Sequence, residues 1–418
     1  MKFALASYGT RGDIEPSIAI GRELLRRGHE VRMAVSPDLV DFVESAGLAA
    51  VAYGPDTREW VDRYRDFFKS ILRNIWRPHA LIELLAPTAE TWVGMSTVLM
   101  SLADGADLLY TGLNFEQPAA NAAEYYGIPL ATLHYYPMRP NGQMVPVLPP
   151  ALGRSAMRVF DWLFWRLHKK LDDAQRRELG LPKATGPSPQ RITERGSLEI
   201  QAYDEACFPG LSAEWAKSNG RRPFVGTLTI EFTTDGDDEV ASWIAAGKPP
   251  IYFGFGSVPF ESFAEMVEMI GAACAELGER ALVRAGGSDL RDVPNFDHVK
   301  VVDAVSYAAA FPACRAVVHH GGSGTTAAGL RAGIPTLILW TMGDQPIWGA
   351  QIKRLKVGTA RRFSAATRET LVSDLREILA PDYVARAREI SLRMTEPAVS
   401  VTAAADLLED TVRRKASC

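Results

Sequence analysis

Cysteine is scarce in this chain: four in 418 residues, Cys207, Cys274, Cys314 and Cys418. They lie far apart and form no Cys-x-x-Cys, so neither a disulfide framework nor a zinc site is expected. No window holds the ~20 uninterrupted apolar residues of a spanning helix. The apolar start, Met1 to Ser7, meets a turn at Gly9 and Gly12 too early to be the core of a signal peptide. A reducing, cytoplasmic setting is the expectation. Excess positive charge is also missing. Lys and Arg number 46 against 50 Asp and Glu, a formal net charge of -4. That balance does not attract a nucleic acid. Two common phosphate loops are absent as well. There is no Gly-x-x-x-x-Gly-Lys-Ser/Thr, which argues against a P-loop NTPase. The first strand does not run into Gly-x-Gly-x-x-Gly, which argues against a dinucleotide oxidoreductase.

What is present is ordinary globular material, 47% hydrophobic and 23% charged. The length exceeds what one core usually organises, so two domains are expected. Residues 3–7 read as a short buried strand and 8–16 as a loop. Apolar Ile18, Leu24 and Leu25 mark a helix stopped by Gly28. Strands follow at 30–35, 107–111 and 130–134, and the same grammar restarts at 250–255, 317–319 and 336–339. Strands alternating with helices predict an α/β chain with two parallel, doubly wound, Rossmann-like halves. The expected boundaries are 1–211, a turn-rich charged linker at 212–226, 227–395, and a helical segment at 396–418 that either stays with the second half or crosses back onto the first.

Two stretches are rich in aromatics. Residues 60–76 place Trp60, Tyr64, Phe67, Phe68, Ile71, Leu72, Ile75 and Trp76 at helical spacing. Residues 157–167 do so with Met157, Phe160, Leu163, Phe164 and Leu167, leaving Trp162 and Trp165 to the sides. Each reads either as a core-facing helix or as the wall of an apolar cavity. Basic residues on the other faces, among them Arg63, Arg73, Arg158, Arg166 and Lys170, also permit weak peripheral contact with a membrane.

The strongest chemical signal is Val317-Val318-His319-His320-Gly321-Gly322-Ser323-Gly324-Thr325-Thr326. A buried strand ends and small residues open a helix. The first turn of a helix has unpaired N–H groups and a partial positive charge. Glycines admit a ligand to that backbone. Ser323, Thr325 and Thr326 add hydroxyls, and His320 can donate to a phosphate oxygen. Such a site holds a diphosphate without a metal. The bland alternative is a glycine-rich turn with a helix cap. A strand and loop later come Asp344 and Gln345, an acceptor beside a mixed donor and acceptor, suited to adjacent sugar hydroxyls. Asp-Gln before Pro346 is also an ordinary helix start.

The stretch from His320 to Gln345 resembles the donor-binding signature of nucleotide-sugar glycosyltransferases. That family includes plant and bacterial natural-product and sterol glucosyltransferases. Gly9-Thr10-Arg11-Gly12-Asp13-Ile14-Glu15-Pro16 resembles the N-terminal loop of the bacterial antibiotic and sterol members. Gly254-Phe255-Gly256-Ser257 matches their first C-domain strand and loop, and Val302 to Tyr307 the stretch that meets the nucleobase. The resemblance implies the GT-B fold, two facing Rossmann-like domains, and inversion at the anomeric carbon. It places the nucleotide sugar, UDP- or dTDP-hexose, on the C-terminal half and a small apolar acceptor on the N-terminal half. His320 and Thr325 would hold the phosphates with Ser257 assisting. Val305 would meet the base through its backbone, and Asp344 and Gln345 would grip the hexose.

Asp13 falls where the family places its general base. A carboxylate in reach of an acceptor hydroxyl can take its proton during attack. Asp13 is equally a good helix cap. Phe68, His134 and Phe164 are candidate acceptor contacts. No cofactor is implied beyond the sugar nucleotide. There are departures from the family pattern. Ala328 stands where many plant members have a ribose-gripping glutamate, and the base-stacking tryptophan of some members has no counterpart near Ala304. No partner for Asp13 is evident around Thr111 to Asn114, so it would act alone. The rival readings are a nucleotide-sugar epimerase of the same fold and a catalytically silent sugar-nucleotide binder.

Overall fold

The computed structural model describes residues 1–57, 89–144, 148–218, 220–230, 234, 236–256, 262–286, 290 and 292–416. Two compact units emerge. Unit 1 comprises Met1–Ala202, Gly210–Ile230 and Pro397–Cys418; unit 2 comprises Tyr203–Pro209 and Glu231–Glu396. The 212–226 stretch, expected as a linker, lies in unit 1, where Leu211–Trp215 is helical. The 60–76 stretch and Phe68 lie outside the described residues.

Unit 1 is built on β1 (Lys2–Ser7), β2 (Glu30–Val35), β3 (Ala50–Ala52), β4 (Leu108–Thr111), β5 (Leu130–His134) and β6 (Leu198–Gln201). Unit 2 repeats the plan with β7 (Ile251–Gly254), β8 (Ala281–Arg284), β9 (Val299–Val302), β10 (Ala316–His319), β11 (Thr336–Trp340) and β12 (Gly358–Arg362). The sheets run β3-β2-β1-β4-β5-β6 and β12-β11-β10-β7-β8-β9. Every pairing is parallel. Both therefore follow the doubly wound order. Their central strands are buried from end to end, as in β4 and β10, because helices cover both faces.

On one face of the first sheet, Ile14 and Ile18 of the Arg11–Arg26 helix pack with Ala404, Ala405 and Leu408 of the Pro397–Ala416 helix. Charged groups latch the same contact. Arg27 Nη1 lies 2.6 Å from Asp406, and His29 Nε2 lies 2.7 Å from Glu409. Cys207, Cys274 and Cys314 are buried free thiols. Among the described residues no helix is long and apolar enough to cross a membrane.

The Pro150–Glu178 helix corrects the expectation for 157–167. Met157 and Trp165 face inward, together with His168, Asp172 and Gln175, while Phe160, Leu163 and Phe164 face out. The reason is polar. Asn121 Nδ2 donates to Asp172 and to Gln175, each at 2.8 Å, so that stripe has to be buried.

A second buried network holds a full charge. Arg139 is 1% exposed and contacts Glu116 at 2.9 Å; its Nε donates to Glu199. Burial pushes the Glu116 carboxyl up, but Arg139 and His134 outweigh it and hold it at about 2. Glu199 is also held below its ordinary range, burial being outweighed by Arg139 and Arg222. A carboxylate depressed in the folded state stabilises above its unfolded pKa and loses that contribution as pH falls. This network therefore stabilises fully above about pH 4.5 and fades toward about pH 2. Arg139→Ala strands two buried carboxylates. We expect it to lower unfolding free energy by ~3–5 kcal/mol in urea titration at neutral pH. The loss should shrink in acid, where Glu116 and Glu199 protonate.

Candidate functional site

In a doubly wound sheet, ligands bind at the carboxyl ends of the two central strands where the winding reverses. In unit 2 these are β7 and β10. His319 ends β10 fully buried, and its Nδ1 accepts the Gly321 N–H at 3.0 Å. The first histidine thus shapes the turn. The second, His320, is half-buried. Burial pulls its imidazole down to about 4, against a bond to the Gly254 carbonyl, so the ring is neutral near pH 7. Its Nδ1 is buried and has no hydrogen-bond partner among the described residues.

The Ser323–Arg331 helix starts beside it with no side-chain cap. Thr326 bonds the Gly322 carbonyl through its N–H at 2.9 Å and its hydroxyl at 2.8 Å. The Thr326 hydroxyl, a candidate donor from sequence, is therefore spent inside the turn. Ser323, Gly324 and Thr325 form the uncapped first turn, where N–H groups and dipole favour an anion.

Gly321 joins this turn to the second motif. Its φ is +100°, and a Cβ there would stand 2.8 Å from Ile338 and 3.2 Å from Gln345. Only glycine lets the two segments touch. Gln345 Oε1 accepts from Thr341 N at 2.7 Å, Thr341 Oγ1 at 2.9 Å and Met342 N at 3.2 Å. That fixes the amide with its NH2 as the end left to donate. Asp344 precedes it as the cap of the Gln345–Leu355 helix. Val305 is buried against Tyr252 and Phe311, so only its backbone can meet a ligand. Ser257 lies outside the described residues.

In unit 1 the corresponding strands are β1 and β4. Tyr8 directly follows β1 in the core, and Gly9 comes next with φ +139°. A Cβ on Gly9 would stand 2.4 Å from Asp13 Oδ2. Asp13 Oδ2 accepts from Thr10 N at 2.7 Å and from Thr10 Oγ1 at 2.9 Å. Its Oδ1 accepts from the Tyr135 hydroxyl. Asp13 therefore closes a capping box as the third residue of its helix, with Thr10 at the cap, but it also has a partner at the exit of β5. Burial raises its pKa above the ordinary carboxylate range and outweighs the bonds from Tyr135 and Thr10. Arg11 and Gly12 are exposed on the same turn, with the Arg11 guanidinium 4.6 Å from the centre of the Phe42 ring.

His134 is fully buried. Its Nε2 meets Glu116 at 2.6 Å and its Nδ1 meets Gln201 at 3.2 Å. Both ring nitrogens are committed, so it touches no acceptor directly. Phe164 is 39% exposed on the outer face of its helix. Sequence reasoning missed Tyr135 and Arg284. Arg284 ends β8 opposite Gly254, and its charge reaches His320. The available signal was position: each lies at the end of, or directly follows, a buried parallel strand, where sites gather.

Comparisons with known proteins show the family to which the chain belongs. Residues 3–93 match the glycosyltransferase family 28 N-terminal domain. Residues 269–412 match the C-terminal domain of erythromycin biosynthesis protein CIII-like proteins. An uncharacterized glycosyltransferase of Mycobacterium tuberculosis (strain ATCC 25618 / H37Rv) is 63% identical, covering 99% of this chain and 100% of its own. A sterol 3-beta-glucosyltransferase of Arabidopsis thaliana is 28% identical over 97% of this chain and 67% of its own. The crystal structure of glycosyltransferase VinC in complex with dTDP superposes with a TM-score of 0.64 at 18% identity, covering 99% of each chain.

Tyr135→Phe removes a donor that favours the charged carboxylate. We expect the Asp13 pKa to move further up in carbon-detected NMR titration, with the Thr10 bonds intact. An unmoved titration would mean the hydroxyl does not engage Asp13.

Proposed function

We propose, on the premise that this chain belongs to the GT-B nucleotide-sugar glycosyltransferases, that it moves a hexose from a UDP- or dTDP-sugar to a hydroxyl of a small apolar acceptor, with inversion and without a metal. The observation that carries the reading is Asp13. It is a carboxylate at the open end of β1, fixed by Thr10 and Tyr135, with its affinity for a proton raised by burial. That suits a general base working near neutral pH.

Unit 2 holds the donor. The diphosphate sits on the uncapped turn at Ser323, Gly324 and Thr325, beside the His320 ring. Gln345 and Asp344 hold the hexose hydroxyls. Oxygen of the acceptor hydroxyl bonds to the anomeric carbon as the bond from that carbon to the phosphate oxygen breaks. The hydroxyl proton passes to Asp13, and the nucleoside diphosphate leaves with the electron pair. One displacement inverts the carbon. The helix dipole and the free N–H groups of the first turn stabilise the departing charge, the task a divalent metal serves elsewhere. The dTDP complex of VinC supports a dTDP donor, and the sterol-named relative supports a rigid or lipid-like acceptor.

Asp13→Asn keeps the shape and an oxygen for the Thr10 N–H but cannot accept a proton. We expect kcat to fall ~100- to ~10,000-fold. Donor affinity by calorimetry and the melting temperature should barely change, because the Asn amide oxygen still accepts the Thr10 N–H that closes the capping box. Near-native turnover would overturn the mechanism. Turnover of the native enzyme should fall as pH drops through the raised Asp13 pKa. It should also survive EDTA; a large loss restored by magnesium or manganese would refute the metal-free reading.

A further inference from the structure

We propose that the first half of the Pro150–Glu178 helix is a docking surface for an anionic phospholipid bilayer. The inference goes beyond the transfer reaction and stands on different residues from the base and donor turn.

This helix carries one buried stripe and one exposed apolar stripe. One, with Met157 and Trp165, is buried and satisfies the packing of the helix against its own unit. The other places Leu152, Ala156, Val159, Phe160, Leu163 and Phe164 at the three- and four-residue spacings of one face. Phe160 is 60% exposed and Leu163 50%. Phe160 and Phe164 stack with ring centres 6.2 Å apart. An outward ridge of large side chains on one straight helix is apolar surface still to be covered.

The surrounding charge identifies what covers it. Arg158, Arg166 and Lys170 are exposed, and among the described residues none has a carboxylate partner. Arg166 instead lies 5.7 Å from the centre of the Trp162 ring. The only acid in residues 150–170 is Asp161, which is half-buried and within the field of Arg139. The strip is therefore cationic on a chain whose net charge is -4. A second copy of this chain would set these cations against their own kind across a two-fold axis. A bilayer meets both demands. Its anionic headgroups take the arginines and lysine, and its acyl boundary takes the ridge below them. Trp162, on the basic edge between Arg158 and Arg166, is the residue type that settles at headgroup depth.

The test is vesicle flotation of the full-length chain. Vesicles of phosphatidylglycerol with phosphatidylcholine should carry the protein upward, at least ~10-fold more strongly than phosphatidylcholine alone, and less so as salt rises. A triple reversal, Arg158→Glu with Arg166→Glu and Lys170→Glu, should lose that preference. A second variant, Phe160→Ser with Leu163→Ser, should weaken binding ~10-fold or more while its melting temperature holds, since both side chains are exposed. Three results would overturn the proposal: no flotation of the native protein, native-like flotation of both variants, or a native dimer that the Phe160 and Leu163 variant dissociates. The readout needs no turnover, so failure of the Asp13 mechanism leaves it unaffected.

Discussion

A parallel sheet wound in both directions from its centre has one place where neighbouring strand ends are not crossed by a connecting helix. The backbone turns there are short, open and aimed outward. In this protein that constraint operates twice, at β1 with β4 and at β7 with β10. Both of its chemical turns are found there. Each also needs a glycine to exist in its present form. Gly9 gives room for the Asp13 carboxylate, and Gly321 lets the histidine turn press against Gln345. Topology supplies the location, and the missing Cβ supplies the closeness.

The two turns differ in what steadies them. The His320 turn is held locally by the His319 ring, the Thr326 hydroxyl and the Gln345 amide, all within a few residues or one glycine contact. Asp13 depends on a longer chain of contacts. Tyr135 bonds it, and Tyr135 directly follows His134. The His134 ring is set by Glu116 and Gln201, and Glu116 is set by Arg139. A buried cation several residues from the acid thus helps to decide where the acid points. Buried ion pairs of this kind add little net stability but penalise alternatives strongly.

What the sequence disclosed follows the same division. The alternation of strands and helices, and hence two parallel sheets, was legible because buried parallel strands are continuous apolar runs, although only seven of the twelve described strands stood out. The glycine-rich turn after β10 was legible because its requirements are local: a strand end, glycines, small hydroxyls. The partner of Asp13 was not. Tyr135 lies more than a hundred residues away, and nothing in Leu130 to Tyr136 marks it apart from an ordinary strand exit. The 157–167 helix was legible as amphipathic but not in its orientation. Periodicity shows that a stripe exists; the buried Asp172 and Gln175 decide which stripe turns inward. Sequence offered His134 as a candidate acceptor contact; its ring is buried, with Glu116 at one nitrogen and Gln201 at the other.

The Pro397–Ala416 helix has a further consequence, one of timing. Its Ala404, Ala405 and Leu408 complete the core around Ile14 and Ile18. Yet those residues are made only after the whole 231–396 stretch of unit 2 has been synthesised. Domains made first usually fold first. Here the first-made unit waits with part of its apolar face bare while the second is synthesised and free to fold. The growing chain therefore carries an exposed hydrophobic surface through much of its own translation. That makes it a natural client for chaperones that bind nascent chains, even though the finished protein conceals the surface that recruits them.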